Sequence, residues 1–124
     1  METMDYKTVT IFRKGKQWVR VGQVFALEKL LARSLRGLFV FRKLPSGEGI
    51  NGLLCYPCKF VYMFGKGFAI DIVYCNRDKE IIYIMECLVP HKTGPYLEDS
   101  CFILVFPAET VFRSGLRVGE SLKW

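Results

Sequence analysis

Two cysteines, Cys55 and Cys58, stand at C-x-x-C spacing in "LLCYPCKF", with Pro57 before the second and Lys59 after it. Two thiols so spaced can exchange with a disulfide or supply half of a zinc site. The first chemistry needs a helix to open at the pair, because a helix N-terminus lowers the first thiol's pKa. The stretch that follows, "KFVYMFGKGFAIDIVYC", is rich in Val, Ile, Phe and Tyr, holds two glycines and lacks helical periodicity. A zinc site needs two further ligands, and the chain offers one histidine, His91, and three isolated cysteines, Cys75, Cys87 and Cys101. The expectation is five free thiols, no metal and no cofactor, with the pair only imitating a redox motif.

A carboxylate carries more information. Asp71 interrupts the apolar run "FAIDIVY". On a strand it shares a face with Ala69 and Val73, while Ile70 and Ile72 face the other way. A buried, unpartnered carboxylate is costly, so Asp71 needs a cation or an N–H group. Arg36, and after it Arg33, are the expected cations, giving an ion pair that locks a helix to the sheet. Tyr62 and Lys66 lie in the preceding strand and turn and can line a cleft with it. The candidate ligand-binding cleft is thus Asp71, Lys66, Tyr62 and Arg36. His91, between Pro90 and Lys92, reads as a solvated loop residue, and Glu48, between Gly47 and Gly49, as exposed. No serine, histidine and acid are arranged for nucleophilic catalysis. "GEGING" at 47–52 opens a strand rather than a helix, so it makes no phosphate cradle.

The elements that must position these groups read as mainly β. "TVTIFRKGKQWVRV" gives two short strands joined at Lys14-Gly15. In "GQVFALEKLLARSLRGL", Val24, Leu27, Leu31 and Leu35 recur at helical spacing, predicting the main helix near 24–36 with Gly37 as its stop. "LPSGEGING" is a turn-rich connector. Strands follow at 53–56, 60–64, 68–75, 80–87 and 101–106, broken by Gly65 and Gly67, by "NRDK" and by "PHKTGPYLEDS". "AETVFRSG" suits one or two helical turns ending at Gly115, and "LRVGESLKW" a turn and a short strand. Such punctuation predicts a single domain over 1–124: an antiparallel sandwich or barrel with one main helix packed on it.

Composition agrees. Hydrophobic residues make up 51% of the 124 and charged residues 24%, enough for a core and too apolar for disorder. No apolar run approaches the roughly 20 residues of a membrane span. The N-terminal "METMDYKTVTIFRKGK" has no apolar h-region, so a cytoplasmic protein is expected. Net charge is +6 and uneven: residues 1–66 carry 12 basic and 4 acidic side chains, residues 67–124 carry 6 and 8. A basic half can meet a polyanion, although the hairpin charges read as solvated and there is no nucleic-acid motif.

Taken together, residues 26–122 resemble a prokaryotic family known as domain of unknown function 192, about four fifths of the chain. The match runs through Ala26, Arg33, Arg36-Gly37-Leu38, Leu44, Gly47-Glu48-Gly49 and Pro57-Cys58. It continues without a gap through Val61, Phe64, Phe68, Ile70-Asp71-Ile72-Val73-Tyr74 and Asn76, then Pro107-Ala108, Gly115-Leu116 and Gly119-Glu120. Cys55 falls where members carry an apolar strand residue. The chain departs from the pattern at Tyr62 (histidine), Lys66 (methionine), Gly67 (arginine), Ala69 (proline) and Glu109 (glycine). The resemblance implies a mainly β, sandwich-like domain and no established activity. The leading expectation is a non-enzymatic binding module for a small polar ligand or a protein partner. The alternatives are an enzyme using Asp71 with Lys66 or Tyr62, and polyanion binding through the basic N-terminal half.

Overall fold

The computed structural model describes residues 7–14, 18–28, 37–40, 46–47, 50–63, 69–89 and 92–124. The expected hairpin is present. Strand β1 (Lys7–Lys14) pairs antiparallel with β2 (Trp18–Glu28), from Lys14↔Trp18 to Lys7↔Ala26. β2 runs straight through Val24–Glu28, where the helix was expected to begin, and this corrects the sequence reading. The strand is flanked on both sides there: Val24, Phe25 and Ala26 pair with β1, and Phe25 to Glu28 pair parallel with β5 (Ile50–Tyr56). A strand with two neighbours reads as a dense apolar run, which a short window cannot separate from a helical stripe. Residues 29–36, the rest of that expected helix, lie outside the described residues, and Arg33 and Arg36 with them.

Four more strands complete the main sheet: β7 (Ile70–Cys75), β8 (Ile81–Leu88), β9 (Phe102–Pro107) and β10 (Leu122–Lys123). The order is β10-β1-β2-β5-β9-β7-β8, with β4 (Ser46–Gly47) added beside β5. The second sheet is the parallel pair β3 (Gly37–Val40) and β6 (Phe60–Met63). The helix among the described residues is short, α1 (Thr110–Ser114), and it ends at Gly115 in the left-handed region, where the Gly115 amide donates to the Val111 carbonyl at 2.9 Å. The architecture is mostly antiparallel β, as the sequence predicts, with a short helix among the described residues.

The ends of the main sheet meet. Glu80 and Ser121 form a bridge, the Ile81 amide donates to the Glu120 carbonyl, and the Leu122 amide donates to the Lys79 carbonyl, both at 2.8 Å. β8 is thereby tied to β10 and the sheet curls into a ring. Inside sit Ile11, Leu54, Val73, Leu104, Phe106 and Leu122, from strands all around it. One end is plugged by Trp124, which packs edge-on to Phe102 at 5.0 Å with the Lys79 ammonium 4.4 Å from its ring centre. The outer face of β5, β9 and β7 buries a second cluster, Leu53, Ile72, Tyr74, Ile103 and Val105, under Cys58 and Val61. β7 is therefore buried on both faces, which explains an apolar run without alternation.

Candidate functional site

Asp71 lies on that doubly buried strand and is 0% exposed. It faces the inside of the ring with Val73 and Cys75, as strand parity predicts, while Ile70 and Ile72 face the outer cluster. Its carboxylate accepts two backbone N–H groups: Cys87 on one oxygen at 2.9 Å and Val111 on the other at 3.0 Å. Both donors need it. β8 carries a bulge there, since Ile70 pairs with Leu88 and Ile72 with Met85, and Cys87 is left at φ 59°. Val111 is in the first turn of α1, whose capping residue, Glu109, offers no side-chain bond and sits at φ 76°. Asp71 thus clamps a bulge and caps a helix from a third element. Of the two kinds of partner expected for it, the described residues supply N–H groups.

Of the other residues of the expected cleft, the described one is Tyr62. Tyr62 is half-buried on β6 and bridged to Thr93. Its neighbour Val61 packs on the outer cluster, so β6 lies across the main sheet from the Asp71 carboxylate. Lys66, Arg36, His91 and Glu48 lie outside the described residues.

Cys55 and Cys58 are both buried, free and in the outer cluster. The Cys58 thiol is pushed far above the ordinary range, first by a hydrogen bond shared with Cys55 and then by burial, and it donates to the Phe60 carbonyl at 3.4 Å. Burial alone pushes Cys75 up to about 12. A thiol held protonated is a poor nucleophile, so Cys58 lacks the activation that a redox catalyst requires. A disulfide reagent at pH 8 should titrate exposed Cys87 first and half-buried Cys101 more slowly, leaving Cys55, Cys58 and Cys75 until the protein unfolds. All five should titrate in denaturant without reductant, and a count of three there would mean that one bridge had formed.

Chemically accessible groups gather elsewhere, around a surface cavity of about 510 Å³. Pro57 and Lys59 come from the β5–β6 connection, Asn76, Arg77 and Asp78 from the β7–β8 turn, and Ile82 from β8. Glu98 to Cys101, entering β9, form the remaining wall. The walls are stapled. The Asn76 side-chain oxygen accepts the Asp78 and Glu80 amides at 2.9 and 3.0 Å, fixing the turn. The Lys59 ammonium donates to the carbonyls of Glu98 and Ser100, and the Ser100 hydroxyl donates to the Cys58 carbonyl at 2.7 Å. The Cys101 amide donates to the Cys75 carbonyl at 2.8 Å. Arg77, Asp78, Glu98 and Asp99 project exposed side chains from these fixed loops. The ion pairs among the described residues are Arg13–Glu120 and Arg113–Glu109, so opposite charges line this cavity without pairing to each other.

The fold has solved counterparts. A crystal structure of a candidate transcription regulator from Sinorhizobium meliloti 1021 aligns with a TM-score of 0.71 at 19% identity, over 98% of this chain and 97% of that one. A protein of unknown function from Novosphingobium aromaticivorans DSM 12444 aligns with a TM-score of 0.68 at 18% identity, over 94% of this chain and 85% of that one. At such identities the likeness establishes the fold, a compact β-rich domain. No family model and no curated protein matches the chain.

The sequence reading missed the cavity residues. Its available signal was two charged breaks, "NRDK" after β7 and "LEDS" before β9. β7 and β9 are antiparallel neighbours, with Cys75 opposite Phe102, which puts both breaks at one end of the sheet.

Proposed function

We propose that this domain is a non-enzymatic binding module that takes a small polar ligand in the cavity between the β7–β8 turn and the loop entering β9. The observation that carries the reading is the contrast between walls fixed by hydrogen bonds and charged side chains left unpaired on them. Holding those groups in place before a ligand arrives lowers the ordering cost of binding. An enzyme built on Asp71 has less support, because both carboxylate oxygens already accept amides of the fold. A thermal-shift screen over sugars, nucleotides, amino acids and metals tests the proposal. A true ligand at a hundredfold excess over its Kd should stabilise by about 2.7 kcal/mol, and the gain should vanish in an Arg77→Ala, Asp78→Ala double variant. A gain that persists in that variant, or no gain from any compound, overturns it.

Polyanion binding is the second reading, favoured by the charge of residues 1–66, 12 basic against 4 acidic. The name of the Sinorhizobium protein accords with it, though that likeness carries only the fold. Heparin affinity that falls steeply with salt would favour this reading over the cavity. Membership of the domain of unknown function 192 family is proposed alongside, supported by the order of the motifs from Ala26 to Glu120. A prokaryotic cytoplasm is the proposed setting, supported by unpaired cysteines. No helix among the described residues is long and apolar enough to cross a membrane.

A further inference from the structure

Resting on the polyanion reading above, we propose that the outward face of β6 is a stacking platform for the bases of a short single-stranded nucleic acid. β6 turns Val61 into the outer cluster, so Phe60 and Tyr62 point the other way. The segment 93–97 runs back along the same strand. Thr93 bridges Tyr62, the Gly94 amide donates to the Val61 carbonyl at 2.8 Å, and the Leu97 amide donates to the Lys59 carbonyl at 3.0 Å. Between these bonds the Pro95 carbonyl accepts the Tyr74 hydroxyl at 2.9 Å. Leu97 packs inward on the outer cluster, whereas Tyr96 is 52% exposed beside Phe60, with ring centres 6.0 Å apart and ring planes at 39°. An aromatic ring whose backbone is fixed and whose face is open to water is a surface on which any unpaired base can stack. Charge selects the occupant. β6 belongs to the half of the chain, residues 1–66, with 12 basic and 4 acidic side chains. Lys92 is exposed next to Thr93 at one end of the platform. Lys59, at the other end, donates to the carbonyls of Glu98 and Ser100, which are neutral acceptors, and keeps its positive charge. Glu98 and Asp99 are exposed just beyond it and repel phosphates, so the ligand's backbone leaves toward Lys92. An unpaired strand satisfies both the rings and the cations, whereas a duplex keeps its base faces stacked on one another.

Titrating the full chain into a labelled oligothymidylate of about ten nucleotides, read by fluorescence anisotropy, tests the inference. An abasic strand of the same length and charge, a duplex and heparin serve as comparators. The oligothymidylate should bind about tenfold more tightly than the abasic strand, and its affinity should fall steeply with salt. Tyr96→Ala should weaken oligothymidylate binding about tenfold and leave heparin unchanged, while Tyr96→Trp should keep it. Lys92→Ala should weaken both ligands and lower the salt slope by about one phosphate contact. Tyr96 is exposed in its loop, so an unchanged urea midpoint will show that the variants fold. An abasic strand or a duplex that binds as tightly as the oligothymidylate, or a Tyr96→Ala variant that binds it normally, overturns the platform. Heparin bound without oligothymidylate also overturns it and keeps the polyanion reading. If neither binds, both fall.

Discussion

Replacing Asp71 with alanine should lower stability by about 3–6 kcal/mol, since each of its two hydrogen bonds to a charged group is worth roughly 1.5–3. For a domain whose total stability is about 5–15 kcal/mol, this is a large fraction. The effect arises because the amides of Cys87 and Val111 lose their acceptor together. The β8 bulge and the first turn of α1 then loosen at once. Urea midpoints measure the loss, and hydrogen exchange should show it first at those two amides. Asp71→Asn keeps one acceptor and turns its NH₂ group toward the other amide, so it should recover no more than half. A fully stable Asp71→Ala would mean that the carboxylate is not held for the sake of the fold, and Asp71 would return as a functional residue.

Gly52→Ala should be about as damaging as a severe overpacking change, about 3 kcal/mol. A Cβ at Gly52 would press on the carbonyl oxygen of Val105 and lie 3.1 Å from the Phe106 ring. The first of these obstacles is backbone, with no side chain to swing aside. β5 would have to retreat from β9, straining the pairs Leu53↔Val105, Leu54↔Leu104 and Cys55↔Ile103 in the middle of the sheet. Both faces of that ladder are buried, Leu53 and Cys55 on one side and Leu54 on the other. A urea midpoint within about 0.5 kcal/mol of the parent, the range of an ordinary surface change, would show that the strands can part there at no cost.

Much of this fold was legible locally. β5 through β9 are apolar runs bounded by turn residues, and the short helix and its stop at Gly115 follow from "AETVFRSG". Val24–Glu28 was misread because a strand clasped by β1 and β5 loses the alternation that identifies strands. Closure of the ring had no local signal. The pairs Phe12↔Lys123 and Glu80↔Ser121 join distant segments, and no periodicity announces them. The site divides the same way. Asp71 stood out as a charge in an apolar run, but its partners are main-chain amides, which carry no residue signature. The cavity was hidden because its charged loops meet only once the strand order is known.

The pairing of β10 with β1 has a consequence for how the chain is made. β1 leaves the ribosome early and can pair with β2 at once, but its other edge has no partner until residues 122–123 have been translated. Until then the nascent chain holds a bare strand edge, with Ile11 awaiting the rest of its core. Closing that edge is a contact between segments far apart in sequence, Phe12 with Lys123, a slow kind to find. Ribosome-bound chains stalled before Glu120 should therefore stay open to protease and need a chaperone's cover, while chains released past Lys123 should close by themselves.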